Sequence, residues 1–371
     1  MRFYVAITAI LLILGGSSLY LARRFWQLLS HFFPKLPFGI LIGISVLLLL
    51  VLMAGFSRSM LPLPVSVKQA LGVANACWMG IFLYLLMFFL LADVAYLLVQ
   101  LFVPASRIPF LAAAAILTAA VSGYGFYHAT DIQLKEYDVT IPGAEDLTVI
   151  MISDVHLGAV GSEKRLPEIV ETINAQNPDL ICIAGDFFDS DFSAIRDPEA
   201  AAEVLKTLSA PCGVWAVLGN HDAGSTAAQM RSFLETCHIR LLNNEFTVVD
   251  NQFILAGQSD RSPIGGFGDL TERKLDLTGV DPDLPLIVMD HNPAYIDEYG
   301  PEADLILSGH THRGQIFPGS IMTDRMYAVD FGYYRADEQS PQVIVSSGVG
   351  TWGMPMRVGT DCEIVKITIH S

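Results

Sequence analysis

Charge is what this sequence has least of. Asp, Glu, Lys and Arg make up only 16% of its 371 residues, against 52% apolar. The shortage is concentrated at the front, where residues 1–130 hold seven basic residues and a single acidic one, Asp93. The other 15 basic and 37 acidic residues follow, so a basic, apolar front precedes a back with a net charge of −22. Such an acidic segment repels a phosphate backbone, and no nucleic-acid binding is expected. Cysteine is scarce as well. The five cysteines form no C-x-x-C pair and no regular spacing, which gives no support to a zinc knuckle or a disulfide framework. Cys182 sits within Leu180-Ile181-Cys182-Ile183, a strand-like run, and the cysteines read as small buried hydrophobes. Internal repeats and low-complexity tracts are missing too, which excludes a solenoid or a disordered linker protein.

What the front has instead is length of apolar sequence. Four runs, roughly Phe3–Ala22, Phe38–Phe56, Ala74–Leu101 and Pro109–Tyr127, each approach or exceed the ~20 residues a helix needs to cross a bilayer. Connectors with Arg23, Arg24, Pro34 and Lys35, then Arg58 and Lys68, then Pro104 and Arg107 separate them. Residues 1–130 are therefore expected to be an all-α transmembrane region of about four helices in the cell membrane. The first run lacks a small-x-small site before Arg23 and is expected to be a retained helix. Asp93, the one acid inside the runs, is either functional or a helix-packing residue. Arg23, Arg24 and Lys35 on the loop after the first helix favour that loop inside, hence an extracytoplasmic C-terminal domain. The sum over all loops is near a tie, which keeps a cytoplasmic placement as the alternative.

From about residue 131 the pattern changes to short apolar runs. Asp131–Ile141 alternates like an edge strand, and Leu147–Ser153 is a continuous apolar run of the buried kind. Helices are expected at Ser162–Gln176 and around Ala200–Leu208. Further strands are expected at Leu180–Ala184, Val214–Leu218, Phe253–Ala256, Leu286–Met289, Leu305–Leu307, Val343–Val345 and Glu363–Thr368. Nearly every one of these strands ends in a polar cluster, and strand ends are where an α/β scaffold presents chemistry.

Five clusters matter: Asp154-Val155-His156, Gly185-Asp186, Gly219-Asn220-His221-Asp222, His291-Asn292 and Gly309-His310-Thr311-His312. Five of the nine histidines fall inside them. In extended backbone, residues i and i+2 point the same way, so Asp154 with His156, and His310 with His312, are each expected to aim two ligands into one space. The glycines before Asp186, Asn220 and His310 allow sharp turns and close approach. Mixed carboxylate, imidazole and amide donors suit Mn, Fe, Zn, Co or Mg, and a carboxylate can bridge two such ions.

The ordered set D-x-H, G-D, G-N-H-D, H and G-H-T-H resembles the calcineurin-like metallophosphoesterases over roughly residues 131–371. The apolar front and Ser347-Gly348-Val349-Gly350-Thr351-Trp352-Gly353 look like the transmembrane bacterial branch of that family. The resemblance implies an α/β fold, a four-layer β-sandwich flanked by helices. It implies two divalent metal ions, one held by Asp154, His156 and His312 and one by Asn220, His291 and His310, with Asp186 bridging. It implies hydrolysis of phosphate mono- or diester or pyrophosphate bonds by a hydroxide that two metals activate. His221 would face the leaving group and Asp222 would orient it. Some members of that neighbourhood are linked to cleaving the pyrophosphate of UDP-diacylglucosamine, so a lipid-linked substrate is among those implied. The alternative is a membrane sensor or scaffold that binds a phosphorylated ligand without turnover. Arg313 departs from the glycine of many relatives. Trp352, Met354, Pro355 and Met356 read as core packing, with contact to a lipid or nucleobase as the alternative. Asp189 and Asp191 read as solvated or turn-forming.

Overall fold

The computed structural model describes residues 2–58, 61–158, 160–260 and 273–371, with side chains from residue 8 onward. The chain divides into two compact units, Met1–Phe126 with Met354–Met356, and Tyr127–Gly353 with Arg357–Ser371.

The first unit is built on α1 (Arg2–Phe32), α2 (Phe38–Phe56), α3 (Val65–Gln100) and α4 (Ile108–His128). Pro37 and Pro64 stand at the starts of α2 and α3, where a missing backbone N–H costs nothing. Among the described residues, three helices, α2, α3 and α4, are long and apolar enough to cross a membrane. The expected first span, Phe3–Ala22, falls within α1, and the side chains of residues 2–7 lie outside the described ones. Asp93 is met by a hydroxyl and two guanidinium groups. Its Oδ2 accepts from Tyr20 Oη at 2.6 Å and Arg24 Nε at 2.7 Å, and Arg107 Nε lies 3.7 Å from Oδ1. One carboxylate thus ties α1, α3 and the approach to α4 together, which is how an acid inside a membrane unit avoids an uncompensated charge.

Among the described residues, the second unit holds twelve strands in chain order. The first six are β1 (Ile132–Thr140), β2 (Leu147–Ile152), β3 (Leu180–Ala184), β4 (Val214–Val217), β5 (Arg240–Leu241) and β6 (Glu245–Val249). Then come β7 (Phe253–Gln258), β8 (Leu286–Asp290), β9 (Leu305–Ser308), β10 (Gly332–Tyr334), β11 (Gln342–Val345) and β12 (Cys362–His370). They form two six-stranded mixed sheets, ordered β1-β12-β2-β3-β4-β5 and β10-β11-β9-β8-β7-β6. Period-2 alternation sorts the core. Val149, Met151, Leu180 and Cys182 meet Leu255, Ile287, Met289 and Leu307 between the sheets. Ile150, Ile152, Ile181 and Ile183 point the other way, toward helices α5 (Leu166–Asn174), α6 (Pro198–Leu205) and α7 (Ala227–Thr236). The spacing of Leu166, Ile169, Val170 and Ile173 gives α5 one buried apolar face. Asp197 caps α6 by accepting from Ala200 N at 2.9 Å.

The fourth layer, outside the second sheet, differs in kind from the first. Ile254, Val288 and Ile306 are covered by Ile296, on a short 3-10 turn at Pro293–Glu298, and by Ala303 and Val329 on loops. Strands β2, β3 and β4 run parallel, as do β8 and β9. Their C-terminal ends therefore share an edge, which gathers the five polar clusters.

Candidate metal centre

All five clusters leave the ends of these parallel strands: Asp154 after β2, Asp186 after β3, Asn220 after β4, His291 after β8 and His310 after β9. The backbone there is not extended as expected. Asp154, His156, Asp186, His310 and His312 have φ of 55°, 51°, 51°, 73° and 49°. Left-handed non-glycine residues cost roughly 1–3 kcal/mol each and gather at functional sites. The consequence is a correction. His310 and His312 do not share one set of neighbours, because left-handed backbone entering a 3-10 turn at His312–Gly314 sends their rings apart.

Two groups result. His156, His312 and Asp154 converge, with His156 Nε2 3.1 Å from His312 Nε2 and His312 Nε2 3.3 Å from Asp154 Oδ1. Asp186, His291 and His310 form the second, where His291 Nε2 is 3.1 Å from Asp186 Oδ2. Asn220 Oδ1 lies 2.8 Å from His310 Nδ1, adding an amide to this group. Asp186 Oδ2 also stands 3.9 Å from His156 Nε2, so this carboxylate lies between the two groups. Either group could hold a metal ion.

Glycine makes this density possible at two positions. Gly185 has φ +86°, and a Cβ there would meet the His291 ring. A Cβ at Gly219 would meet Asp186 and the same ring.

The donor chemistry fits a cation. His291 Nδ1 is 2.7 Å from the Ala184 carbonyl, so this nitrogen carries a proton and donates it. In the neutral ring that leaves Nε2 as a lone pair, buried, without a hydrogen-bond partner and facing a carboxylate oxygen. Two acceptors at that separation need something positive between them. Protonation states agree. Burial pushes His156 and His312 below the usual imidazole range and His310 down to about 4. Burial alone would raise Asp154 and Asp186, but the facing imidazoles, His312 and His291 foremost, hold both below the usual carboxylate range. Burial would lower His291, yet Asp186 and then Asp154 raise it well above. A proton on His291 balances charge that a bound cation would balance instead.

His221 lies beside these groups, its ring 5.0 Å from that of His156. Its Nδ1 is 2.9 Å from Ser190 Oγ and 3.7 Å from Asp189 Oδ1, and its backbone N–H donates to Asp186 Oδ1 at 2.7 Å. Asp222 does not orient it. That carboxylate instead accepts from Phe187 N at 3.2 Å, Phe188 N at 2.8 Å and Gly219 N at 2.9 Å, tying the β3 and β4 loops together. Burial and the charge of Asp186 push Asp222 up to about 7 against those donors. Asp189 is the residue the sequence reading set aside, and it sits where Asp222 was expected. The signal available was its place three residues after Asp186 in Gly185-Asp186-Phe187-Phe188-Asp189. Asp191 does form a turn, accepting from Ser193 N at 3.0 Å. Arg313 has left-handed backbone, φ 49°, and lays its guanidinium 4.5 Å from the Phe331 ring centre.

A family model for the calcineurin-like phosphoesterases matches residues 147–314. A transmembrane protein with metallophosphoesterase domain from Danio rerio is 32% identical over 279 residues, covering 69% of this chain and 62% of the relative. The chain thus spans less than two thirds of that protein. An uncharacterized metallophosphoesterase of Aquifex aeolicus is 30% identical over 260 residues, covering 68% of this chain and 97% of the relative. Among solved structures, TT1561 of Thermus thermophilus aligns at 14% identity and a TM-score of 0.36, over 54% of this chain and 89% of that one. Three apolar helices and a relative named as a transmembrane protein mark a membrane-associated chain.

Proposed function

Because this chain belongs to the calcineurin-like phosphoesterase family, we propose that it is a membrane-anchored two-metal phosphoester hydrolase. Residues 131–371 form the hydrolase and residues 1–130 its anchor. Asp154, His156 and His312 hold one divalent ion; Asn220, His291 and His310 hold the other; Asp186 is shared. The observation that carries this is the position of Asp186, 3.1 Å from an unpartnered His291 nitrogen on one side and 3.9 Å from His156 on the other.

Bound divalent ions would supply activation of a water and neutralisation of the charge that builds on the phosphoryl oxygens. The chain's own residues do the rest. His221 projects beside both groups and can pass a proton from Nε2 to a leaving oxygen, since Nδ1 is engaged by Ser190 and faces Asp189. Asp189 orients that ring and stabilises it when charged. Asp222 keeps the loops that carry Asp186 and His221 in register through its three amide bonds. Mixed N and O donors are compatible with Mn, Fe, Zn, Co or Mg.

Finer features of the reading rest on charge. The −22 of residues 131–371 disfavours nucleic acid, and the family resemblance adds a lipid-linked phosphoester such as a UDP-diacylglucosamine to the candidate substrates. Arg24 and Arg107 meet at Asp93, at the end of the first unit that also holds Arg23 and Lys35. A basic end of this kind supports placing it inside the cell membrane and the hydrolase outside.

The test is hydrolysis of bis-p-nitrophenyl phosphate and p-nitrophenyl phosphate by the full chain in detergent with Mn²⁺. Metal-dependent turnover that Asp186→Ala and His221→Ala each abolish is the expected result. A folded chain that binds Mn²⁺ but turns over neither ester would replace the hydrolase with a ligand-binding sensor.

A further inference from the structure

Of the two readings of Trp352, core packing and contact with a lipid or nucleobase, the first does not hold. Its side chain is 46% exposed, and its indole ring lies 5.7 Å from the His221 imidazole at an angle of 59°. Exposure rises outward along the three rings, from 1% at His156 to 6% at His221 to 46% at Trp352. The indole therefore stands at the open side of the site, beyond the residue that faces the leaving group.

The loop that holds it is braced. Trp352 N donates to Gln315 Oε1 at 2.7 Å, and Gln315 Nε2 donates back to the Trp352 carbonyl at 2.9 Å. Behind it, Arg357 is wholly buried and donates to the carbonyls of Ser347, Gly348 and Gly350 at 2.7, 3.0 and 2.6 Å. The same guanidinium reaches the His312 carbonyl at 3.1 Å. Glu363, also wholly buried, accepts from Ser347 N at 2.9 Å. Burying a guanidinium and a carboxylate is costly and is tolerated when the geometry they fix is used. What they fix is the Ser347–Gly350 backbone that leads into Trp352, together with the His312 carbonyl.

Trp352 itself offers one exposed ring face. An alkyl chain needs a run of open apolar side chains to lie along, whereas a flat ring needs one face to stack on.

We propose that Trp352 is a stacking platform for a planar aromatic ring carried by the substrate's leaving group. This rests on the hydrolase reading above. With the phosphoryl group at the ions that Asp154 and Asp186 would hold, the leaving group passes His221 and reaches the indole. Stacking of this kind raises affinity about five- to tenfold.

The experiment measures binding of phenyl-, ethyl- and octylphosphonate to the Mn²⁺-loaded full chain in detergent by calorimetry. Wild type, Trp352→Ala and Trp352→Phe are compared, with Mn²⁺ uptake confirming an intact site in each. Wild type is expected to bind phenylphosphonate about five- to tenfold more tightly than ethylphosphonate. Trp352→Ala is expected to erase that ratio while ethylphosphonate affinity holds, and Trp352→Phe to keep most of it. An unchanged phenyl-to-ethyl ratio in Trp352→Ala overturns the platform and leaves the hydrolase standing. If octylphosphonate is instead the probe that Trp352→Ala weakens most, the indole receives an acyl chain and the aromatic assignment is wrong. Failure of metal-loaded wild type to bind any phosphonate sinks the hydrolase reading and this one with it.

Discussion

His291 turns its two ring nitrogens to different uses: Nδ1 donates to the Ala184 carbonyl at 2.7 Å, and Nε2 faces Asp186 Oδ2 at 3.1 Å. A buried ring nitrogen held against a carboxylate needs a proton or a cation between them, and a bound cation would take the place of the proton. Binding to the folded state alone then stabilises the fold by mass action. Mn²⁺ at a hundredfold excess over its dissociation constant should add about 2.7 kcal/mol. A thermal melt of the full chain in detergent checks this, and the Mn²⁺-dependent rise should be lost in Asp186→Ala. A rise of equal size in that variant would place the ion elsewhere.

Gly219→Ala puts one methyl group against Asp186 and the His291 ring. Neither neighbour can retreat, since Asp186 accepts the His221 N–H and His291 is fixed by Ala184. Overpacking at such a site costs about 1–3 kcal/mol. The variant should melt lower and bind Mn²⁺ at least tenfold more weakly. Wild-type metal affinity in Gly219→Ala would show that the packing around Asp186 is looser than described.

Asp189 and Asp222 should separate cleanly on mutation. Asp189→Asn weakens what faces His221 Nδ1, so kcat should fall by about 10²-fold, more than KM or melting temperature changes. Asp222→Ala leaves three buried amides without an acceptor, so it should cost about 3 kcal/mol or more and lower the melting temperature first. Steady-state kinetics beside melts of both variants decide the matter. The reverse pattern would restore Asp222 as the partner of His221.

Asp361 gives a pH dependence away from the site. Its carboxylate lies 3.0 Å from His128 Nε2 and 3.0 Å from Lys135 Nζ. Burial alone would raise it, but Lys135 and His128 hold it below the usual carboxylate range. A depressed folded-state value gives stability that is present above the unfolded value near 3.9 and lost as pH falls through the folded one. Asp361→Asn should therefore cost about 1 kcal/mol at neutral pH, and the gap from wild type should close as pH drops from 5 toward 3. Melting curves across that range test it; a gap that widens toward pH 3 contradicts the assignment.

Much of the site could be read from the sequence because apolar runs such as Leu147–Ile152 and Leu180–Ala184 stop abruptly at Asp or Gly-Asp, and a buried parallel strand can only end that way at an edge. Backbone conformation was less legible. Nothing in Gly309-His310-Thr311-His312 distinguishes extended from left-handed residues, since His tolerates both, so the family resemblance implied the split of His310 from His312 while its backbone cause came from φ. Contacts were the hardest to read. Asp222 adjoins His221 in sequence yet serves amides across the β3–β4 edge, while Asp189, far along the chain, is the acid that faces the ring. Elements with few anchors also escaped. Strand β5 has two residues, and α7 buries only Met230, Phe233 and Leu234 among polar neighbours. For Trp352 the sequence left core packing and ligand contact both open, because an apolar residue is expected inside unless something shows what it is kept out for.

The most direct test of the two-metal centre is anomalous scattering from crystals of the Mn²⁺-loaded full chain. Two peaks are expected, roughly 3.5–4 Å apart, with Asp186 touching both, Asp154, His156 and His312 around one, and Asn220, His291 and His310 around the other. A single peak, or two peaks that Asp186 does not join, would contradict the account.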